Sequence, residues 1–99
     1  MTLTGKQRRH LRALGHDLDP VVQLGKQGLT DAVVAAVDEA LGKHELVKVR
    51  VGTECPEGRD VVAERLGPAV KGEVAQLLGR TMLIYRRRPK DPKIQLPKA

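Results

Sequence analysis

The sequence predicts a single compact α/β domain with the element order α-β-α-β-α-β-β and a four-stranded mixed sheet. The length of 99 residues suits one domain. Stretches with apolar residues at helical spacing alternate with short runs of β-branched residues, which predicts crossover connections between strands. Only Gly79-Arg80 separates the last two strands, which predicts a closing antiparallel hairpin.

The first element is predicted to be an amphipathic helix over residues 4–14. Thr4 and Gln7 form a capping-box pattern at its start, and Gly15 is a natural stop. On a helical wheel three leucines share one arc and four basic residues occupy the opposite side. The leucines are Leu3, Leu11 and Leu14, and the basic residues are Lys6, Arg8, Arg9 and Arg12. We therefore expect a helix docked through its leucines, with a continuous basic outer side.

A strand over residues 21–24 is predicted to lead into the loop Gly25-Lys26-Gln27-Gly28. A second helix should start at about Thr30 and end at Gly42. Its expected buried face consists of Leu29, Val33, Val34, Ala36, Val37, Ala40 and Leu41.

The next strand, over residues 46–51, alternates cleanly between two faces. Val47, Val49 and Val51 should face the core, whereas Lys48 and Arg50 should face water or a bound partner.

The second half of the chain is predicted to contain a third helix over residues 59–70 and strands over residues 74–78 and 81–85. The helix should bury Val61, Val62, Leu66 and Val70, and Gly67-Pro68 should kink or split it. We divide the chain into a domain over residues 1–88 and a basic, proline-containing tail over residues 89–99, either free or docked as an extended segment.

The positive charge is concentrated at the two ends of the chain. The net charge is +6 at pH 7, whereas residues 17–79 carry seven basic and eleven acidic side chains. Such polarisation favours binding of a polyanion over general solubility. A single cysteine excludes an intramolecular disulfide and a cysteine-rich zinc site. The chain has neither an apolar run of membrane-spanning length nor a hydrophobic signal segment, so we expect a cytoplasmic protein without a membrane partner.

The glycine loop lies where a phosphate could be held. Glycine allows a ligand to approach the main chain closely, and a helix N-terminus favours an anion. Lys26 would add positive charge. Ten glycines in the chain make the Gly-x-x-Gly spacing weak on its own, so a plain turn that needs two glycines is the alternative.

Five blocks in order resemble the YhbY family of small bacterial proteins, the single-domain form of the CRM RNA-binding domain. They are LTGKQRRHL (3–11), PVVQLGKQGLT (20–30), HELVKVR (44–50), LGRTMLIYR (78–86) and KIQLP (93–97). The resemblance implies a fold similar to the C-terminal domain of translation initiation factor three. It also implies an RNA-binding surface that includes the glycine loop, and association with the precursor of the large ribosomal subunit.

We therefore expect a monomeric RNA-binding protein of ribosome assembly, with no cofactor, metal site or enzymatic activity. The expected RNA-binding residues are Gly25, Lys26, Gln27, Gly28, Lys6, Arg8, Arg9, Arg12, Lys48, Arg50, Arg86, Arg87 and Arg88. Because Tyr85 is the only aromatic residue, base stacking should be minor and recognition should depend on backbone and shape.

Three alternatives stay open. A KH-like or general structured-RNA binder would also use a GxxG loop, but in KH domains that loop joins two helices. A protein-binding adaptor would use the basic ends to contact an acidic partner. An RNA-processing enzyme would need an acid/base pair or metal cluster, and His10, His16 and His44 share no such motif.

Overall fold

The computed structural model describes residues 3–98 and shows three layers: one helix, a four-stranded sheet, and two further helices. The predicted fold class and element order are confirmed. The predicted domain limits at residues 1 and 99 lie outside the described residues. The elements are α1 Gly5–Gly15, β1 Pro20–Leu24, α2 Asp31–His44, β2 Leu46–Val51, α3 Arg59–Ala69, β3 Glu73–Leu78 and β4 Thr81–Tyr85.

The sheet has the order β1-β2-β4-β3, with β1 parallel to β2 and the other pairs antiparallel. Leu24 pairs with Val51, so β1 and β2 finish together at what we call the loop end of the sheet. Tyr85 pairs with Leu46, so β4 finishes at the opposite, tail end. The six residues of β2 separate the two ends by about 16 Å.

Each face of the sheet has its own apolar core. On one face, the predicted valines of β2 pack with α2 and α3, for example against Leu41 and Leu66. On the other face, Leu11 of α1 packs against Leu83 and Tyr85. The face that carries Lys48 is therefore partly covered by α1, and its loop-end portion, where Arg50 lies, is open to solvent.

The contacts of α1 differ from the prediction in two places. Leu14 is 44% exposed, because Gly15 is the residue that faces the sheet. A Cβ atom on Gly15 would lie 2.6 Å from Leu83 Cδ1, so only glycine permits this close approach. Arg8 is half-buried and donates to the Val74 carbonyl at 2.7 Å. The basic outer side of α1 is therefore not continuous.

Helix α2 continues beyond the predicted stop at Gly42 and ends at His44. The reversal of the chain occurs at Glu45, which has φ 64° and donates its N–H to the Leu41 carbonyl at 3.0 Å. A residue with positive φ commonly follows the end of a helix and is usually glycine, but here it is a glutamate. The prediction that Ala36 is buried was also wrong, because this residue is exposed.

Helix α3 is not split by Gly67-Pro68, because both residues fall in its last turn. Proline there forfeits a single helical hydrogen bond. The Gly72 N–H donates to the Gly67 carbonyl at 2.9 Å and closes the helix end. Val61 was predicted to be buried but is 43% exposed, so Val62 and Leu66 supply the contacts to the core.

The tail is docked as an extended segment, and Glu45 holds it. The side chain of Glu45 is fully buried, and its carboxylate accepts backbone N–H groups from Arg88 at 3.0 Å, Ile94 at 2.9 Å and Lys93. Burial alone would raise the pKa of Glu45, but these three donors and the Arg88 charge hold it below its usual value. Ile94 thereby reaches the apolar core beneath α1.

Candidate nucleic-acid interface

The glycine loop is a tight turn whose two glycines have different roles. The Gly28 N–H donates to the Gly25 carbonyl at 2.9 Å. Gly28 is buried with φ 70°, a conformation that disfavours other residues. Gly25 has no positive φ, and a Cβ atom placed on it would meet no atom within 4 Å. The fold therefore requires glycine at position 28 but not at position 25.

An internal carboxylate already occupies the inner side of this loop. Glu57 Oε1 accepts the Leu29 N–H at 3.2 Å, and Glu57 Oε2 lies 3.2 Å from Arg65 Nη1. The helix start is capped by Thr30, whose hydroxyl accepts the Val33 N–H at 3.2 Å. A phosphate at this loop would therefore have to contact its outer part, before Gly28, rather than the first turn of α2 as a whole.

The outer part of the loop is open to solvent. Gly25, Lys26 and Gln27 are all exposed. Because the loop follows directly on Leu24, it begins beside the last paired residues of β2. Lys26 therefore sits at the loop end of the sheet, on a glycine turn that a nucleic-acid backbone could approach closely.

The open portion of the sheet brings further predicted residues to this end. Arg50 pairs with Gln23 on one side and with Thr81 on the other, so it lies in the row next to the loop. Lys48 lies two residues further from the loop and lines a groove together with Arg12 of α1. Lys26 and Arg50 therefore lie at the loop end, and Thr81, the partner of Arg50, also lines the groove of Lys48 and Arg12.

Of the remaining basic residues of α1, Lys6 and Arg9 are exposed along its outer side. Helix α1 starts near the tail end, where the Leu3 N–H donates to Glu73 at 3.1 Å. Its C-terminal end reaches the groove beside Lys48. Lys6 and Arg9 therefore extend the positive region away from the loop, whereas the half-buried Arg8 is engaged with β3.

The three consecutive arginines lie at the tail end, away from the glycine loop. Arg86 joins α2 to the end of α3, because its guanidinium donates to Asp38 Oδ1 at 2.5 Å and to the Val70 carbonyl at 2.7 Å. The backbone of Arg88 is held by Glu45. Arg87 is exposed and lines a hollow with Gln7 of α1. The fold does not bring these arginines together with the loop.

The basic residues near the loop carry unpaired charge. Within residues 3–98, salt bridges join Lys43 to Glu39, Arg59 to Asp60, Arg65 to Glu57 and Arg86 to Asp38. Over the same residues, none involves Arg12, Lys26, Lys48 or Arg50. A cluster of cations without internal counter-ions produces a positive field that attracts a polyanion.

Two arginines at the loop end were not predicted. Arg80 is exposed in the hairpin and donates to the Gly52 carbonyl at 3.4 Å. Arg59, at the start of α3, donates to the Gly79 carbonyl at 2.7 Å. Only the pairing of β2 with β4 brings them beside the loop, and a local sequence pattern carries no trace of that pairing.

Comparison with known proteins identifies the family. The model of the CRS1 / YhbY (CRM) domain matches residues 3–86. The chain belongs to this family. The resemblance noted from the sequence is thus confirmed, and the position of the GxxG loop between β1 and α2 distinguishes this CRM domain from a KH domain.

The alignments of this CRM domain protein with its relatives cover nearly the whole chain. It is 39% identical over 95 residues to the Probable RNA-binding protein YqeI of Bacillus subtilis, covering 96% of this chain and 99% of that one. It is 38% identical over 97 residues to an RNA-binding protein of Haemophilus influenzae, covering 98% and 97% of the two chains.

The fold of this CRM domain matches a solved structure. The solution structure of the hypothetical protein SAV1595 of Staphylococcus aureus, described as a candidate RNA-binding protein, superposes with a TM-score of 0.82. It is 38% identical, and the match covers 97% of this chain and 100% of that one. Among the described residues, no helix is long and apolar enough to cross a membrane, and no group of three metal-ligating side chains occurs.

Proposed function

We propose that this CRM domain protein binds ribosomal RNA of the large-subunit precursor and acts in ribosome assembly. The observation that carries RNA binding is that Lys26 and Arg50 lie at the loop end of the sheet, next to a groove that Lys48 and Arg12 line. The names of the full-length relatives support RNA as the ligand. The choice of ribosomal RNA rests on the family resemblance. A cytoplasmic location, a monomeric state and the absence of a catalytic step are also part of the proposal.

In this proposal the RNA backbone contacts the loop end of the α1 face. Gly25 allows a phosphate to come close to the main chain, and Lys26 adds charge beside it. Arg50, Lys48 and Arg12 continue the contact across the open part of the sheet towards α1. Arg8 and Arg86 are committed to internal hydrogen bonds, and we assign them to the stability of the fold rather than to the RNA site.

Binding should depend strongly on salt. A contact that involves Arg9, Arg12, Lys26, Lys48 and Arg50, none of which forms a salt bridge among residues 3–98, would neutralise about five phosphates. Release of the condensed counter-ions then gives a slope of roughly −4 for log K against log salt concentration. Titration of large-subunit ribosomal RNA fragments at several salt concentrations measures it. A slope near zero would contradict the electrostatic model.

The loop can be tested by reversing one charge. Lys26→Glu should weaken RNA binding by about tenfold at low salt and reduce the salt slope by about one, because one phosphate contact is lost. The matched control is Lys71→Glu, which makes the same charge change at an exposed residue after α3. Equal losses of affinity in the two variants would show a general effect of net charge and remove the loop from the site.

The cellular ligand can be identified by crosslinking in cells and sequencing of the attached RNA. Enrichment of large-subunit ribosomal RNA is the expected result. Nuclease treatment of the native complexes tests the adaptor alternative, because a protein-binding adaptor would keep its partners after the RNA is digested. Release of the partners by nuclease would favour direct RNA binding.

A further inference from the structure

A groove between α1 and the closing hairpin has features that a phosphate-contacting surface does not need. It lies where α1 leaves the sheet uncovered, and its floor includes Leu83. The residues around it come from α1, the segment after α1, β2 and the hairpin. They include Arg12, His16, Lys48, Gln76, Leu78 and Thr81.

The charge of the groove fits an anionic ligand. Arg12 and Lys48 line the groove, and neither forms a salt bridge among residues 3–98. In this described part of the chain, no acidic side chain lines the groove. Because His16 is exposed beside Arg12, the groove also has two planar side chains. Both histidine rings and guanidinium planes can stack on an unpaired base.

The groove also contains hydrogen-bonding groups that the protein does not use. Gln76 is half-buried, and its amide, which is open to solvent, makes no hydrogen bond with another group within residues 3–98. Thr81 Oγ1 donates to the Leu78 carbonyl at 2.9 Å, which leaves its lone pairs free to accept. Leu78 is 65% exposed at the rim and offers an apolar surface.

Together these groups match the phosphate, the edge and the face of the base in one nucleotide. We propose that the groove receives a single unpaired nucleotide of the bound RNA, with its phosphate at Arg12 and Lys48 and its base edge at Gln76. The base would lie against Leu78 and the planar side chains. The inference rests on the proposed function and adds to it, because a paired and stacked base could not enter the groove.

The test uses a hairpin RNA with one bulged nucleotide and the same hairpin fully paired. The full-length protein should bind the bulged hairpin at least about fivefold more tightly, since hydrogen bonds to a base edge discriminate by about that factor or more. Gln76→Ala should abolish this preference and leave the affinity for the paired hairpin unchanged. Gln95→Ala, which removes an exposed amide from the tail, should keep the preference.

The two titrations distinguish the groove proposal from the proposed RNA-binding function. Equal affinity of the unmodified protein for both hairpins, or an undiminished preference in Gln76→Ala, would overturn the groove proposal. In those cases salt-dependent binding of the paired hairpin would still uphold the proposed RNA function. Failure of the protein to bind either hairpin at low salt would refute both. Circular dichroism of the two variants checks that the fold is intact.

Discussion

Replacing Glu45 with glutamine should lower the free energy of unfolding by about 2–3 kcal/mol at pH 7, because hydrogen bonds to a charged group are the stronger ones. The carboxylate accepts backbone N–H groups from Arg88, Lys93 and Ile94 in a fully buried position. Glutamine has nearly the same shape but no charge, and one of its two ends is a donor that would face donors. We expect the tail to loosen and Ile94 to leave the core under α1.

The effect of Glu45→Gln on the free energy of unfolding should depend on pH. Because the pKa of Glu45 is lowered in the folded protein, its stabilisation is fully present above the unfolded pKa of about 4.3 and is lost as the pH falls through the folded value. The stability difference between the unmodified protein and Glu45→Gln should therefore be largest at neutral pH and shrink in acid. Urea titrations at several pH values measure this.

The control is Glu54→Gln, which removes an exposed carboxylate in the loop after β2. Surface substitutions of this kind change stability by no more than about 0.5 kcal/mol. If Glu45→Gln were as stable as this control at neutral pH, the carboxylate would not be what holds the tail.

The two glycines of the loop should respond in opposite ways to the same substitution. Gly28→Ala should lower the free energy of unfolding by about 2–3 kcal/mol, because alanine is strained at positive φ and because the substitution disrupts a hydrogen bond. Its Cβ atom would lie 2.1 Å from Glu57 Oε1, which must move and release the Leu29 N–H. Gly25→Ala should leave stability within about 0.5 kcal/mol and should weaken RNA binding, because it crowds an open backbone.

Denaturant unfolding and RNA titration of both variants separate the two roles. Gly25→Ala also serves as the control for Gly28→Ala, since it adds the same methyl group three residues away in the same turn. A stable Gly28→Ala would contradict the structural role of that glycine. Full RNA affinity of Gly25→Ala would show that RNA does not approach the main chain there.

Much of the fold follows from local pattern. The alternation in β2 predicts its bounds and its core face, and both are confirmed. The capping box at Thr4 and Gln7 places the start of α1 within one residue. The end of α2 was misplaced because Gly42 is the usual kind of stop, whereas the actual stop depends on tertiary contacts that hold Glu45 at positive φ.

The site was predicted in part, for a similar reason. Exposure of Lys26 and the common location of Lys48 and Arg50 follow from short-range periodicity and loop position. The expectation that Arg86 would join them rested on charge alone. Its place on the α2 and α3 face depends on Asp38, which is 48 residues away in sequence. The position of Gln76 in the groove could not be predicted either, because it depends on an irregularity in the pairing of β3 with β4.

Helix α1 depends on residues that follow it much later in the sequence. The Leu3 N–H needs Glu73, and Gln7 donates its amide to the Pro97 carbonyl at 3.0 Å. On a translating ribosome, α1 therefore emerges long before these partners, with Leu3 and Leu11 uncovered and its arginines free. Such distant pairing slows folding, and this layer can be completed only after the partner residues have been synthesised.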